Sequence, residues 1–164
     1  MKVVDDFLSY EVFSRLEHEI CGDTFPWYFN DHMTRRGDDK YQFVHNIFNV
    51  RYGGVMSGMF GLFEPVIREL GVKELDRIKI NLNPRTFFHR KGHWHIDNNP
   101  NDPHQHTKTA ILYLNTTNGW TEFKNHGKVK NKMNRIALFD SQLIHRKVTC
   151  TDEQRRIIVN INYQ

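Results

Sequence analysis

Cysteine is scarce in this chain: among 164 residues there are only Cys21 and Cys150. That count excludes a disulfide scaffold and makes a reducing compartment the expectation. Residues 1–8 contain Asp5 and Asp6 and no long apolar stretch, so they do not read as a secretion signal, and the expected location is the cytoplasm. No run approaches the ~18–20 apolar residues of a membrane-spanning helix, so no membrane partner is expected. Internal repeats and low-complexity linkers are also missing, and a single domain over residues 1–164 is the expectation. Neither sign of charge dominates: 23 Lys and Arg against 19 Asp and Glu leave a net charge of +4, with a pI of about 9.1. The basic residues are spread along the chain, apart from short runs at 128–132 and 155–156. Solubility is the plain reading of this mild excess, and a phosphate-bearing or nucleic-acid substrate stays open.

What the chain has in quantity is aromatic residues, with twelve Phe, six Tyr and three Trp. Such a set favours packed sheet faces over a helical bundle. Two stretches have helical periodicity. Over 10–20, Phe13, Leu16 and Ile20 share a face, and Ser9 stands at the N-cap. Over 58–70, Phe60, Phe63, Ile67 and Leu70 make the stripe, with Ser57 able to cap it and Gly71 to end it. Both stripes read as core packing. After Lys73 the pattern turns to strands. Residues 77–82 alternate, with Ile78, Ile80 and Leu82 on one side, and 109–115, 135–139 and 157–163 follow between loops rich in Asn, Gly, Pro and Asp. Residues 42–50 are a further strand candidate. Helices first and strands afterwards predict a mainly β, α+β fold: a jelly roll (double-stranded β-helix) buttressed by N-terminal helices. Residues 1–72 then supply helical support and substrate-side elements, and 73–164 the jelly-roll core.

Ten histidines are present, and one cluster stands out, His93-Trp94-His95-Ile96-Asp97. On an extended strand, residues two apart project to the same face. His95 and Asp97 can therefore present an imidazole nitrogen and a carboxylate oxygen to a common point. With so many histidines a lone His-x-Asp carries little weight, but a more distant His completes a facial triad of two His and one carboxylate, which leaves positions open on iron(II). His145, beyond the strand candidate 135–139, is placed to return to that cavity. Arg155 and Arg156 follow it. A guanidinium suits the distal carboxylate of 2-oxoglutarate, which two parallel charge-assisted hydrogen bonds hold at fixed distance. Strand parity puts Arg156, Ile158, Asn160 and Asn162 on a polar face, and Arg155, Ile157, Val159, Ile161 and Tyr163 on a mostly apolar one. The polar face suits the interior of a site, so Arg156 is the expected anchor and Arg155 the alternative. The same parity groups Thr109, Ile111, Tyr113 and Asn115, leaves Ala110, Leu112 and Leu114 to the core, and lets the Tyr113 hydroxyl stand beside Arg156.

With these residues in hand, the stretch from about 76 to 163 resembles the prolyl 4-hydroxylase-like branch of the iron(II)/2-oxoglutarate-dependent oxygenases. Residues 95–115 read HIDNNPNDPHQHTKTAILYLN, a His-x-Asp followed by an Asn/Pro-rich loop and a strand ending Tyr-Leu-Asn. Asn118-Gly119-Trp120-Thr121-Glu122-Phe123 is similar to the branch's Gly-Gly-x-Thr-x-Phe stretch, with Asn118 in place of the first glycine. His145 matches the distal iron ligand, Arg156 the basic residue that pairs with the cosubstrate, and Tyr113 the tyrosine that contacts it. Residues 25–28 and 41–45 are similar to small phage-type and bacterial oxygenases of this branch. The usual tyrosine near the start of the core is replaced around Asn83-Pro84, and the chain is short for a peptidyl-prolyl hydroxylase.

The resemblance implies iron(II) on His95, Asp97 and His145, 2-oxoglutarate on Arg156 and Tyr113, and O2 as oxidant, with ascorbate as a supporting reductant. It further implies hydroxylation of a protein or peptide substrate, proline first, with nucleic acid or a small molecule behind it. Two alternatives run beside it. A cupin-type site begun by His93-x-His95 requires a nearby Glu and leaves Asp97 idle. A catalytically inactive jelly-roll binding module has no reason to keep five groups in register. His104 and His106 read as solvated loop residues and Cys150 as a small buried filler. Trp94 and Trp120 either line the substrate site or pack in the core or at the rim. Residues 98–106 and 30–41 read either as lids or as plain surface loops.

Overall fold

The computed structural model describes residues 1–32, 37, 40–97 and 107–164. The lid candidate at 98–106, much of the one at 30–41, and the side chains of His104 and His106 lie outside the described residues.

The N-terminal part contains strand β1 (Lys2–Val4) and helix α1 (Tyr10–Cys21). Ser9 caps α1 as its sequence predicts, its hydroxyl oxygen accepting the Val12 N–H, and Phe13, Leu16 and Ile20 are buried. Strands β2 (Tyr28–Asn30), β3 (Gln42–Asn49) and β4 (Gly54–Val55) follow. The second helix is shorter than its stripe suggests. Phe60–Phe63 is a 3-10 turn, and helix α2 covers Glu64–Leu70. Pro65 has no N–H to bond back toward Gly61, so it sits in the first α-helical turn and the α-helix does not extend through it. Ser57 caps no α-helix; its hydroxyl accepts the Met59 N–H and meets His45 Nε2 at 2.9 Å. Gly71 ends α2 in the left-handed conformation, at φ 62°.

The remaining strands are β5 (Leu75–Pro84), β6 (Lys108–Tyr113), β7 (Trp120–Phe123), β8 (Gly127–Lys130), β9 (Ile136–Asp140), β10 (His145–Val148) and β11 (Arg155–Tyr163). They form two antiparallel sheets. The larger has the order β1-β9-β6-β11-β5-β3-β2 with β4 on β3, and the smaller is β10-β7-β8. This is the jelly roll with helical support.

Strand alternation sorts the large sheet's two faces. Ile78, Ile80, Leu112, Ile157, Val159 and Ile161 point outward, into a core they share with Leu16, Ile20, Phe63 and Val66 from the helical part. Ile111, Tyr113, Ala137, Phe139 and Ile158 point inward and meet Phe123 and Val129 of the small sheet. The inward face carries polar residues at its open end, and there the two sheets leave a cavity. The N-terminus is held to the barrel by Asn134, whose side chain accepts from the Leu8 N–H at 3.0 Å and donates to the Leu8 carbonyl at 2.8 Å.

Candidate active site

His95 and His145 face each other as a bridged antiparallel pair. The His95 N–H donates to the His145 carbonyl at 3.0 Å, and the His145 N–H donates back at 2.9 Å. Residues directly opposite in such a pair send their side chains to the same side, and the two rings lie 4.5 Å apart. Asp97, two residues beyond His95, keeps that side. One ligand atom from each of His95, Asp97 and His145 lies within 4.8 Å of the others. The Asp97 oxygens stand 3.7 Å from His95 Nε2 and 3.8 Å from His145 Nε2, too far for hydrogen bonds.

The tautomers follow from the backbone. His95 Nδ1 lies 3.1 Å from the His93 carbonyl, and His145 Nδ1 lies 2.8 Å from the Leu143 carbonyl. A carbonyl only accepts, so each Nδ1 carries the hydrogen and each Nε2 turns its lone pair toward Asp97. Asn160 and Asn162 of β11 donate to Asp97 Oδ2 at 3.3 and 3.5 Å. Burial alone pushes the Asp97 carboxyl up, but His145, Arg77 and His95 with the Asn160 amide outweigh it, and the pKa falls to about 2. Burial, with the neighbouring His145, pushes His95 below its ordinary value, which favours the neutral, ligating ring. Two imidazoles with fixed tautomers and one ionised carboxylate, without hydrogen bonds among them, fit iron(II).

The cavity beside this cluster has a volume of about 280 Å³. Ile111, Ile158 and Asn160, with Arg77, Lys79 and Asn81 of β5 beside them, line it from the large sheet, and Thr121 lines it from the small one. Arg156 lies deeper and is fully buried. Its Nε donates to Asn131 Oδ1 at 2.8 Å and its Nη2 to Thr121 Oγ1 at 3.1 Å, while Nη1 has no partner. The Tyr113 hydroxyl donates to the same Thr121 oxygen at 2.9 Å. Arg156 and Tyr113 thus meet at Thr121, which forms cavity wall where they do not. Burial lowers the Arg156 pKa, and an unpartnered guanidinium nitrogen at this depth is a cost that a carboxylate ligand removes. The set fits the distal carboxylate of 2-oxoglutarate. Gly119 makes room for the stem: a Cβ there would stand 3.0 Å from Arg156 Cδ and 3.0 Å from the Val148 carbonyl.

Strand parity separates the two arginines as expected. Arg155 points to the other face and donates to the Cys21 carbonyl at 2.7 Å. His93 contributes its carbonyl to His95 and no ring nitrogen to the cluster, and no Glu joins it among the described residues. Trp94 is rim, with the Arg146 guanidinium 4.0 Å from its ring centroid. Trp120 packs on His89 at 4.7 Å, and Cys150 is buried. Sequence reasoning passed over Thr121, Arg77, Lys79 and Asn81 as site residues. The signal was present: with Ile78, Ile80 and Leu82 assigned to the core, parity leaves Arg77, Lys79 and Asn81 on the cavity side.

Residues 85–164 match the family model described as the 2OG-Fe(II) oxygenase superfamily. No curated protein matches the sequence. Among solved structures, the chain is similar to the viral collagen prolyl hydroxylase of Paramecium Bursaria Chlorella virus-1 in its 2OG complex, with a TM-score of 0.65, 16% identity, and coverage of 98% of this chain and 93% of that one. It is similar to a Pseudomonas putida prolyl-4-hydroxylase, with a TM-score of 0.64, 16% identity, and coverage of 99% and 91%. A third is a Trichoplax adhaerens prolyl hydroxylase in complex with a hypoxia inducible factor oxygen degradation domain peptide fragment, with a TM-score of 0.66, 15% identity, and coverage of 99% and 82%. At these identities the structural likeness speaks for the fold. The family match spans the whole His95–Asp97–His145 cluster together with Tyr113, Thr121 and Arg156: residues 85–164 belong to the 2OG-Fe(II) oxygenase superfamily, and the protein is an oxygenase of that chemistry, using iron(II), 2-oxoglutarate and O2.

Proposed function

We propose that this oxygenase hydroxylates a prolyl residue of a peptide or protein, with His95, Asp97 and His145 as the iron(II) ligands and Arg156 and Tyr113 holding 2-oxoglutarate. The observation that carries the metal assignment is the bridged histidine pair, with both Nε2 atoms turned toward a buried carboxylate. When bound, iron(II) supplies the chemistry that couples oxidative decarboxylation of 2-oxoglutarate, to succinate and carbon dioxide, with hydroxylation of a substrate C–H bond.

The chain's own residues supply position and charge. The His93 and Leu143 carbonyls hold the imidazoles in orientation, and Asn160 and Asn162 hold Asp97. Arg156 draws a carboxylate toward Thr121 and the Tyr113 hydroxyl, which fixes the far end of the cosubstrate. Phe123 and Phe139 pack against the His145 ring, at 5.8 and 4.9 Å, and keep water from that side.

Two features support a peptide substrate. The similar structures described above carry prolyl hydroxylase names, one of them in complex with a peptide fragment. Strand β5, which walls the cavity, also leads into a groove of about 370 Å³ lined by Tyr41, Pro84, Phe87 and Phe88. Aromatic-lined grooves suit extended, proline-containing segments. The test is succinate release from 2-oxoglutarate with iron(II), ascorbate and air, with and without proline-containing peptides. Peptide-stimulated release and a hydroxylated proline in the product are expected. Turnover that no peptide stimulates, but a nucleic acid or small molecule does, would overturn the prolyl reading and keep the oxygenase.

A further inference from the structure

On β5 beside β11, and on β10 of the facing sheet, the cavity carries cations that iron and cosubstrate do not account for. Arg77, Lys79 and Lys147 line it, and Asp97 is the only carboxylate among the described lining residues. Iron(II) and dianionic 2-oxoglutarate cancel each other, and Asp97 offsets one of the three cations. Among the described lining residues the cations thus outnumber the carboxylates. Arg156 does not enter this count, because it lies behind Thr121.

The three cations differ in how they are held. Arg77 Nε donates to Asn162 Oδ1 at 2.9 Å, so its guanidinium is fixed beside the Asp97 side of the cavity. Lys147 Nζ donates to Gln42 Oε1. Lys79 is half-buried, and no carboxylate pairs with it among the described residues. Burial and the nearby Arg77 pull its pKa down to about 8, against the opposing pull of the Asp97 carboxylate. Converging cations in a partly enclosed site repel one another, and a bound anion relieves that cost.

We propose that Lys79, with Arg77 and Lys147, forms an anion subsite that recognises a carboxylate on the substrate, close to the C–H bond that is hydroxylated. The cavity's size favours a carboxylate over a nucleotide phosphate. About 280 Å³, shared with the cosubstrate, accommodates an amino-acid-sized group and not a nucleobase, sugar and phosphate together. The carboxylate comes either from a free or C-terminal α-carboxyl group or from an acidic side chain next to the reacting residue. The inference rests on the oxygenase reading above and narrows its prolyl substrate to an acidic one.

The test uses the full chain loaded with nickel(II) and 2-oxoglutarate, which holds the site without turnover, and calorimetric titration with small ligands. N-acetyl-L-proline is expected to bind about tenfold or more tighter than N-acetyl-L-prolinamide, as for a hydrogen bond between charged partners. Lys79→Met should erase that preference and Lys79→Arg restore it, with the 2-oxoglutarate affinity within about threefold of wild type in both. Acetyl-Asp-Pro-amide binding in place of the free acid would assign the carboxylate to a side chain. N-acetyl-L-valine binding as tightly as N-acetyl-L-proline would keep the anion subsite and sink the prolyl reading. Equal binding of acid and amide, or binding of none of the acid, the amide and acetyl-Asp-Pro-amide, would overturn the subsite. So would a Lys79→Met variant that loses 2-oxoglutarate and the acid alike, because the cation would then serve the cosubstrate. Tighter binding of a short oligothymidylate, lost in Lys79→Met, would overturn the carboxylate assignment in favour of a phosphate.

Discussion

Replacing Arg156 by methionine removes a guanidinium that is fully buried and touches no carboxylate among the described residues. In the ligand-free protein two opposing effects follow. The hydrogen bonds to Asn131 and Thr121 are lost, at about 1.5–3 kcal/mol each for a charged donor. The desolvation penalty of a buried ion, several kcal/mol, disappears with them, and methionine fills most of the volume. The apo fold is therefore expected to change by less than ~2 kcal/mol, in either direction. The ligand-bound state behaves differently. Loss of a charge-assisted contact to the cosubstrate carboxylate should cost about 2.8 kcal/mol, a factor of about a hundred in Kd. With nickel(II) present and 2-oxoglutarate at about a hundred times the wild-type Kd, wild type gains about 2.7 kcal/mol from the ligand and Arg156→Met about 0.4 kcal/mol. At about 2–4 °C per kcal/mol for a domain of this size, the ligand-induced rise in Tm is about 5–11 °C in wild type and about 1–2 °C in the variant. Thermal melts with and without 2-oxoglutarate measure both quantities, and Arg155→Met is the control that should keep the full rise. A full rise in Arg156→Met, or its loss in Arg155→Met, would refute the reasoning. An apo Arg156→Met protein destabilised by more than ~4 kcal/mol would show the arginine to be structural.

Other consequences are open to direct measurement. Tyr113→Phe removes one hydrogen bond, to Thr121 Oγ1, and should weaken 2-oxoglutarate binding by about 1 kcal/mol, roughly fivefold in a calorimetric titration; a loss near a hundredfold would make Tyr113 the main anchor. Asn134→Ala breaks both bonds to the Leu8 backbone and places Ala at φ 57°, so urea unfolding should show about 2–3 kcal/mol less stability, and an unchanged midpoint would mean that the N-terminal attachment contributes nothing. The pH dependence of the apo protein has a definite sign. His95 is held below its ordinary value in the folded state, while the unfolded chain protonates it near pH 6.5. Its stabilising contribution is thus present above about pH 6.5 and lost as the pH falls below it. Apo Tm should drop between pH 7 and 5.5, and less steeply in His95→Gln; equal slopes would contradict the assignment.

Much of the site was legible because alternation in a strand is a local rule. Arg156 and Arg155 are adjacent in sequence, yet one lies beneath the cavity and the other bonds the Cys21 carbonyl, as parity predicts. His95 and Asp97 needed only their two-residue spacing. His145 needed the resemblance as well, because its bridge to His95 is a pairing across 50 residues that no local pattern encodes. The short strands escaped: β1, β2, β4, β7, β8 and β10 have two to four residues, too few for alternation to be counted. The long stripe 58–70 suggested one helix, because apolar spacing does not register the missing N–H of Pro65. Lys79 was overlooked for a different reason. Its strand was read only for the side that packs, and the polar side was given no role, although it lines the cavity.

The central claim, that His95, Asp97 and His145 bind iron(II) in a form that accepts 2-oxoglutarate, is tested most directly by visible absorption under anaerobic conditions. A 2-oxo acid chelating iron(II) through its keto and carboxylate oxygens gives a charge-transfer band that neither component has alone. Wild-type protein with iron(II) and 2-oxoglutarate should show that band, and folded Asp97→Ala and His145→Ala proteins should lack it. A folded wild-type protein without the band, or an Asp97→Ala protein with a band of undiminished intensity, would contradict the account.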